Sequence, residues 1–385
     1  MFSTWDSKNP LLFGAGTSKE VGARFKAFGS TKVLVVFDQG VKNAGIVDPI
    51  LKLLEAEGIK YCIYDKVLAD PPDYSCNEAG DLAKAEKCDG VLAIGGGSSM
   101  DTAKAARVLL KYPGVINDYF MTPGDPPLDE SGMVPIIVIP TTSGTGSEAS
   151  PGAVITDTVN NMKAILNSSI DLGIVDPELT VGLPPAITAM TGIDAFCHAA
   201  EALTSSWPNA IAAVLTKESC RLVAKYLPIA VADGKNMEAR TAMSLAATLG
   251  TSGMRGPLGH MPHTFGMGLS KNWHTAHGVT VGLFMAITLK KQADFVPDQV
   301  RAVCEAFGKD VPANATPAEI GQIAYDAMND LLKTVNFPKF SSICTKEELL
   351  SKVDDCWHGP DFFSPYKIET KEQALEFMSE AYDAH

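Results

Sequence analysis

"AIGGGSSMDTAKAA", residues 93–106, decides how the chain folds. The apolar run "GVLAIGG" (90–96) reads as a buried strand and stops on three glycines. Two serines follow, and then the helical pattern "MDTAKAARVLLKY" (100–112). A strand that turns at once into a helix is half of a βαβ unit. Working outward, "KVLVVFD" (32–38), "YCIYD" (61–65) and "MVPIIVIPTT" (133–142) read as further strands. "VKNAGIVDPILKLLEAEG" (41–58) and "NEAGDLAKAEKCD" (77–89) read as helices between them. Continuous apolar strands alternating with helices predict a parallel sheet covered on both faces.

The pattern changes after "LTVGLPP" (179–185), where a glycine and two prolines punctuate the chain. From about Pro184 onward, segments such as "AIAAVLTKESCRLVAKYLPIAV" and "PAEIGQIAYDAMNDLLKTV" carry helical periodicity, with no β-rich run. The expected organisation is an α/β domain over 1–183 and an all-α domain over 184–385.

Composition narrows the function classes. The 385 residues include 46% hydrophobic and 20% charged residues, as in ordinary soluble globular proteins. A net charge of −13 argues against nucleic acid and anionic membrane surfaces, which need a basic face. No apolar run reaches the roughly 18 residues of a membrane span. "MFSTWDSKNP" has neither a basic nor an apolar leader region, so no signal peptide is expected. The eight cysteines are scattered and form no CxxC, which points to reduced thiols in a cytoplasm and away from a cysteine zinc site.

Two loops at strand ends suggest an anion site. Gly95, Gly96 and Gly97 let a ligand approach the backbone, and the free N–H groups and dipole of the helix that follows favour pyrophosphate. A tight βα turn capped by serine explains the same residues. The spacing is not GxGxxG, so the usual dinucleotide fingerprint is absent. "PTTSGTGSEAS" (140–150) is a second loop of small and hydroxyl residues at a strand end, where open α/β sheets bind ligands. Asp38 closes the first strong strand. There an acid accepts hydrogen bonds from an adenosine ribose and repels a 2′-phosphate, favouring NAD over NADP. The alternative is a turn former before Gln39-Gly40.

Histidine supplies the second constellation. The chain has seven, and four of them, His260, His263, His274 and His277, fall in "GHMPHTFGMGLSKNWHTAHG" (259–278). Upstream, "TGIDAFCHAAEALTS" (191–205) sets Asp194 and His198 four residues apart, on one helical face. Such a pair is a surface contact or half of a metal site. With His263 and His277 it becomes one carboxylate and three imidazoles, a donor set for iron or zinc rather than calcium or magnesium. His260 fits a core position, while His358 and His385 fit the surface. His274 is a ligand or a proton carrier beside one.

Together these motifs resemble the iron-containing (group III) alcohol dehydrogenase family over nearly the whole length. "GGGSSMDTAKA", "PTTSGTGSE", "VDPELT" (175–180), "TGIDAFCHAAEALTS" and the His-x13-His-Gly ending at Gly278 carry the resemblance. It implies a dinucleotide-binding α/β domain and a helical domain, the architecture also shared by dehydroquinate synthase. It implies Asp194, His198, His263 and His277 as metal ligands, Fe²⁺ with Zn²⁺ as the alternative. Gly96, Gly97 and Ser98 would meet the pyrophosphate, with Asp101 on the same helix start. Thr141, Thr142 and Thr145 would lie along the cofactor, and Lys163 in "NNMKAIL" near the nicotinamide. Many members place another histidine four residues after the third ligand; here that position is Met267. His274 is the substitute candidate for proton relay.

The implied reaction is hydride transfer between a small alcohol or aldehyde and NAD, with the metal polarising the substrate oxygen. The family also implies a homo-oligomer. Three other readings stay open: a polyol or anionic-aldehyde reductase, with Arg255 as a partner for an acidic substrate; a dehydroquinate synthase-like lyase; and a degenerate NAD-binding protein without turnover.

Overall fold

A computed structural model describes residues 9–122 and 126–384. The opening stretch up to residue 8, on which the leader reading rests, and His385 lie outside the described residues. Within these limits the chain forms two compact units, one of residues 9–142 and 146–182, the other of Ser143–Thr145 and residues from Leu183 on.

The first unit is built on six parallel strands in the order β1-β8-β5-β4-β2-β3. These are β1 (Leu11–Phe13), β2 (Lys32–Val36), β3 (Lys60–Tyr64), β4 (Gly90–Gly95), β5 (Ile136–Pro140) and β8 (Leu172–Val175). Helices α1 (Val21–Phe28), α2 (Gln39–Asn43), α3 (Val47–Ala56), α4 (Asp73–Ala85) and α5 (Gly97–Lys111) connect and cover them. Strand β2 shows why its sequence is apolar throughout. Val33 and Val35 pack with Phe25 and Leu54 on one face. Leu34 and Val36 pack with Ala79 and Ala103 on the other. A strand buried on both sides has no polar alternation to display.

Two features depart from the sequence reading. The helix expected over 41–58 is two helices, α2 and α3, separated at Gly45, which takes a left-handed φ of 73°. There is also an antiparallel hairpin, β6 (Gly152–Asp157) with β7 (Met162–Asn167), in which Val154 pairs with Ile165. Its inner face buries Ala153, Ile155 and Leu166 against α5 and neighbouring loops.

The second unit is mainly helical. Its long helices are α6 (Pro185–Thr204), α7 (Ala210–Ala232), α8 (Met237–Gly253), α9 (Met261–Trp273), α10 (His277–Gln292), α11 (Pro297–Ala306) and α12 (Pro317–Thr334). The short α13 (Lys346–Ser351) and α14 (Val353–Cys356) precede α15 (Lys371–Asp383). Helix α6 is central: Ile193, Phe196, Cys197 and Ala200 are fully buried in the unit's core. Glycines permit its close contacts, since a Cβ on Gly192 would stand 2.3 Å from Leu227 Cδ1 of α7. Residues 143–145 join this unit. Thr251 Oγ1 donates to the Thr145 carbonyl at 2.8 Å. A Cβ on Gly144 would meet Thr191 of α6 at 2.7 Å.

No helix of the described residues is long and apolar enough to cross a membrane.

Candidate metal centre and nucleotide loops

The metal candidates come together on three helices of the second unit. Asp194 and His198 sit one turn apart on α6, His263 lies in the first turn of α9, and His277 opens α10. One donor atom from each of the four lies within 4.8 Å of all the others. Asp194 Oδ1 is 3.9 Å from His198 Nε2 and 3.8 Å from His277 Nε2. The rings of His198 and His263 stack at 4.8 Å.

The set fits a divalent transition metal. Asp194 Oδ1 and His263 Nε2 are buried without a hydrogen-bond partner. Buried polar atoms are rarely left unpaired, and two such atoms within one ligand set suit a bound cation. Three imidazoles and one carboxylate match iron or zinc better than magnesium or calcium, which demand more oxygen. Burial, and next His263, push the His198 imidazole down to about 3, so it stays neutral and ligand-ready. Burial raises the Asp194 carboxyl, against the pull of His277 and His263. A cation among these groups reverses that pressure by favouring the carboxylate.

A second carboxylate stands behind the ligands. Glu201 is fully buried, and its Oε1 lies 2.6 Å from His263 Nδ1. Burial alone would raise its pKa, but His263, His260 and their hydrogen bonds hold it at about 2. The sequence reading missed Glu201, although it sits three residues after His198 and seven after Asp194, on the same helical face. His260, left unexplained by the sequence, is buried beside it with Thr204 and Gln292.

His274 is exposed at the C-terminus of α9, in left-handed conformation with φ 51°. It lies three residues before His277. Met267 is 48% exposed one turn beyond His263.

In the first unit, the nucleotide candidates gather at the carboxyl ends of the neighbouring strands β2, β4 and β5. Helix α5 begins at Gly97 with no side-chain cap, so its first N–H groups have no intrahelical acceptor. Gly95 takes φ 154°, and a Cβ there would stand 2.3 Å from Ser99 Oγ. A Cβ on Gly96 would stand 3.3 Å from Thr142 Oγ1, which places the glycine turn opposite the β5 loop. Thr141 N donates to the Gly95 carbonyl at 2.9 Å, locking the two loops together. Asp38 caps α2 through Val41 N at 3.0 Å and accepts from Ser99 Oγ at 3.4 Å. This is the crevice that open α/β sheets offer a nucleotide.

Two candidates are engaged otherwise. Asp101 accepts from Ser147 Oγ at 2.9 Å and from Val154 N at 3.0 Å. With the buried Lys104, whose Nζ donates to the carbonyls of Ser147, Ser150 and Gly152, it pins the loop before β6. Lys163 pairs with Asp70 Oδ1 at 2.6 Å and donates to Thr156 Oγ1 at 3.1 Å.

A dinucleotide-type crevice in one unit and a His₃Asp centre in the other define an oxidoreductase acting on CH–OH groups, and comparison with known proteins specifies which kind. Residues 9–177 match the iron-containing alcohol dehydrogenase family, and residues 188–356 match the C-terminal part of the same family. The chain belongs to the iron-containing alcohol dehydrogenase family. It is 34% identical to a choline dehydrogenase of Bacillus subtilis, over 91% of this chain and 88% of that one. It is 33% identical to an NAD-dependent methanol dehydrogenase of Bacillus methanolicus, over 88% of each. Among solved structures, a 1,3-propanediol oxidoreductase superposes with a TM-score of 0.92 at 26% identity, covering 99% of this chain and 100% of that one.

Proposed function

We propose that this protein is an NAD-linked alcohol dehydrogenase whose Asp194, His198, His263 and His277 hold a catalytic Fe²⁺, with Zn²⁺ as the alternative. The observation that carries the reading is the cluster of four convergent donors, two of whose atoms, Asp194 Oδ1 and His263 Nε2, are buried and unpartnered. When bound, the metal supplies a Lewis acid for the substrate oxygen and the nicotinamide accepts or returns the hydride. The chain's residues do the rest. The free N–H groups of α5 and the glycines before it receive the pyrophosphate. Asp38 takes the ribose hydroxyls and disfavours a 2′-phosphate. Asp101 and Lys104 act indirectly, by fixing the loop that follows Thr145. Lys163, beside Asp70, is the candidate cation at the nicotinamide end, and His274 is the candidate proton carrier. All eight cysteines are free thiols, in keeping with work in a reducing cytoplasm.

The test is NADH formation by metal-stripped protein after restoring Fe²⁺, Zn²⁺ or neither, with choline, methanol and 1,3-propanediol as substrates and sulfoacetaldehyde run in the reductive direction. Metal-dependent turnover with at least one of them is expected. Tight NAD binding without net turnover on any substrate would replace this reading by the lyase or the degenerate-site alternative. His263→Ala is expected to lose both metal and activity while keeping the helical circular-dichroism signal.

A further inference from the structure

We propose that Glu201 is the positioning residue of the metal centre: its carboxylate fixes the ring of His263 with Nε2 free for the metal and supplies the negative charge that balances a dication. The inference rests on the metal-dependent reading above and adds a residue to it.

A carboxylate only accepts hydrogen bonds. The 2.6 Å contact between Glu201 Oε1 and His263 Nδ1 therefore places the ring proton on Nδ1. Nε2 is left as the lone-pair nitrogen, and it is the buried, unpartnered one. The other oxygen, Oε2, accepts from the backbone N–H of His260 at 2.5 Å. His260 is the residue from which α9 starts. One carboxylate thus sets both the ring of His263 and the origin of the helix that carries it. The backbone closes over it: a Cβ on Gly259 would stand 3.2 Å from Glu201 Oε2 and 3.4 Å from His263 Nδ1.

The ring of His260 does not compete for this carboxylate. Thr204 gives its only hydroxyl proton to the Ala200 carbonyl at 2.8 Å. Toward His260 Nε2, at 3.2 Å, Thr204 Oγ1 is consequently the acceptor, so His260 is protonated on Nε2. Gln292 Nε2 lies 3.4 Å from Nδ1 and 3.3 Å from Nε2, and of the two only Nδ1 is then able to accept; Nδ1 also faces Glu201 Oε2 at 4.0 Å with no proton between them. His260 is a neutral buttress, which accounts for its burial, and the charge of Glu201 is directed at His263. With neutral imidazoles, Asp194 and Glu201 together carry the two negative charges that a divalent ion needs in a buried place.

The experiment measures the affinity of the metal-stripped protein for Zn²⁺ by chelator competition, and the visible spectrum of its Co²⁺ form. In Glu201→Gln the new amide NH₂ faces either His263 Nδ1, forcing the proton onto Nε2, or the N–H of His260. Affinity is expected to fall roughly 10–100-fold, the usual effect of removing a partner behind a metal-bound histidine, and the Co²⁺ bands should shift. Glu201→Asp keeps the charge but withdraws it by one methylene. It should lose less, and it serves the same test if the glutamine variant does not fold. Thr204→Val, which removes the acceptor of His260 Nε2–H and the hydroxyl's bond to the Ala200 carbonyl but leaves Glu201 and His263 in place, should change affinity less than about threefold, within the range of an indirect contact. The proposal is overturned if Glu201→Gln binds Zn²⁺ like the wild type with unchanged Co²⁺ bands, or if Thr204→Val loses as much as Glu201→Gln. A wild-type protein that binds no divalent ion removes the metal reading itself, an outcome separate from either of these.

Discussion

Gly278 packs its α-carbon directly on the carbonyl of Met190: a Cβ built there would stand 2.3 Å from that oxygen and 3.3 Å from the Cβ of Asp194. This contact explains why a glycine follows the ligand His277. Helix α10 must approach α6 closely enough for His277 to reach the oxygen of Asp194, and only a residue without Cβ allows it. Gly278→Ala has no flexible neighbour to displace, since the obstacle is backbone. It is expected to destabilise the protein by about 1–3 kcal/mol through overpacking. It should also weaken metal binding at least tenfold by separating His277 from Asp194. Thermal unfolding and metal titration check both effects; a variant with unchanged metal affinity would show that the approach of these helices is not critical to the site.

Asp38 does two jobs whose energies differ in kind. Its Oδ1 caps α2 through Val41 N, and its Oδ2 receives the Ser99 hydroxyl. Asp38→Asn preserves the cap, because asparagine is as good an N-cap, but removes the charge. The stability change should stay within a few tenths of a kcal/mol, while the ratio of kcat/KM for NADP over NAD should rise roughly tenfold, equivalent to about 1.4 kcal/mol of relieved repulsion. Asp38→Ala should add a loss of about 1 kcal/mol for the cap. An unaltered cofactor ratio in both variants would remove Asp38 from the ribose site.

These two cases show where the sequence is readable. The β4–α5 turn and the Asp194–His198 pair announce themselves locally, through glycine spacing and an i, i+4 repeat. The strands β2, β4 and β5 are legible because burial on both faces leaves long apolar runs. Strand β1 is only three residues and β8 only four, too short for periodicity to emerge. The hairpin β6–β7 exposes Val154 and Ile165 on its outer face and Met162 at the turn end of its inner one, which blurs the alternation that would mark it. Asp101 and Lys163 carry charges that suggest direct chemistry, yet their partners, Ser147 and Asp70, are distant in sequence and visible only in the fold. Glu201 is the opposite case: it lies on the legible face of α6, but its partner on α9 is known only after folding.

The turn of the β6–β7 hairpin should respond to acid. Asp73 is buried and accepts from Asn117 Nδ2 at 2.7 Å, Thr158 Oγ1 at 2.7 Å and the N–H groups of Thr158 and Tyr74. Burial works to raise its pKa, but these donors outweigh it and hold it below the ordinary value of 3.8. A depressed folded-state value means that the carboxylate stabilises the fold fully above the unfolded value. That contribution disappears as pH falls from about 4 through the folded one. Asp73→Asn should therefore cost about 1–3 kcal/mol at pH 7, the range for leaving buried donors badly paired. Once the pH has fallen through the folded value, the wild type and variant should converge. Denaturant unfolding followed as a function of pH gives the comparison, and a difference that stays constant as pH falls would exclude ionisation as the cause.

His274 separates a backbone role from a chemical one. Its φ of 51° is the left-handed conformation that ends many helices, and its N–H bonds back to the Ser270 carbonyl at 3.0 Å. Glycine is the residue that conformation favours, so His274→Gly should leave stability equal or raise it by up to about 1 kcal/mol. Asparagine tolerates the same geometry and carries no base. Histidine is among the side chains that adopt this conformation more readily than most, and the exposed imidazole three residues before His277 is the proton carrier proposed above. If that is its work, both His274→Gly and His274→Asn should lower kcat roughly 100-fold, the lower end for general acid–base catalysis, without changing metal affinity, and added imidazole should restore part of the rate. Variants that are as stable as the wild type and turn over at its rate would reduce His274 to a helix cap and leave the proton to solvent or to the cofactor ribose.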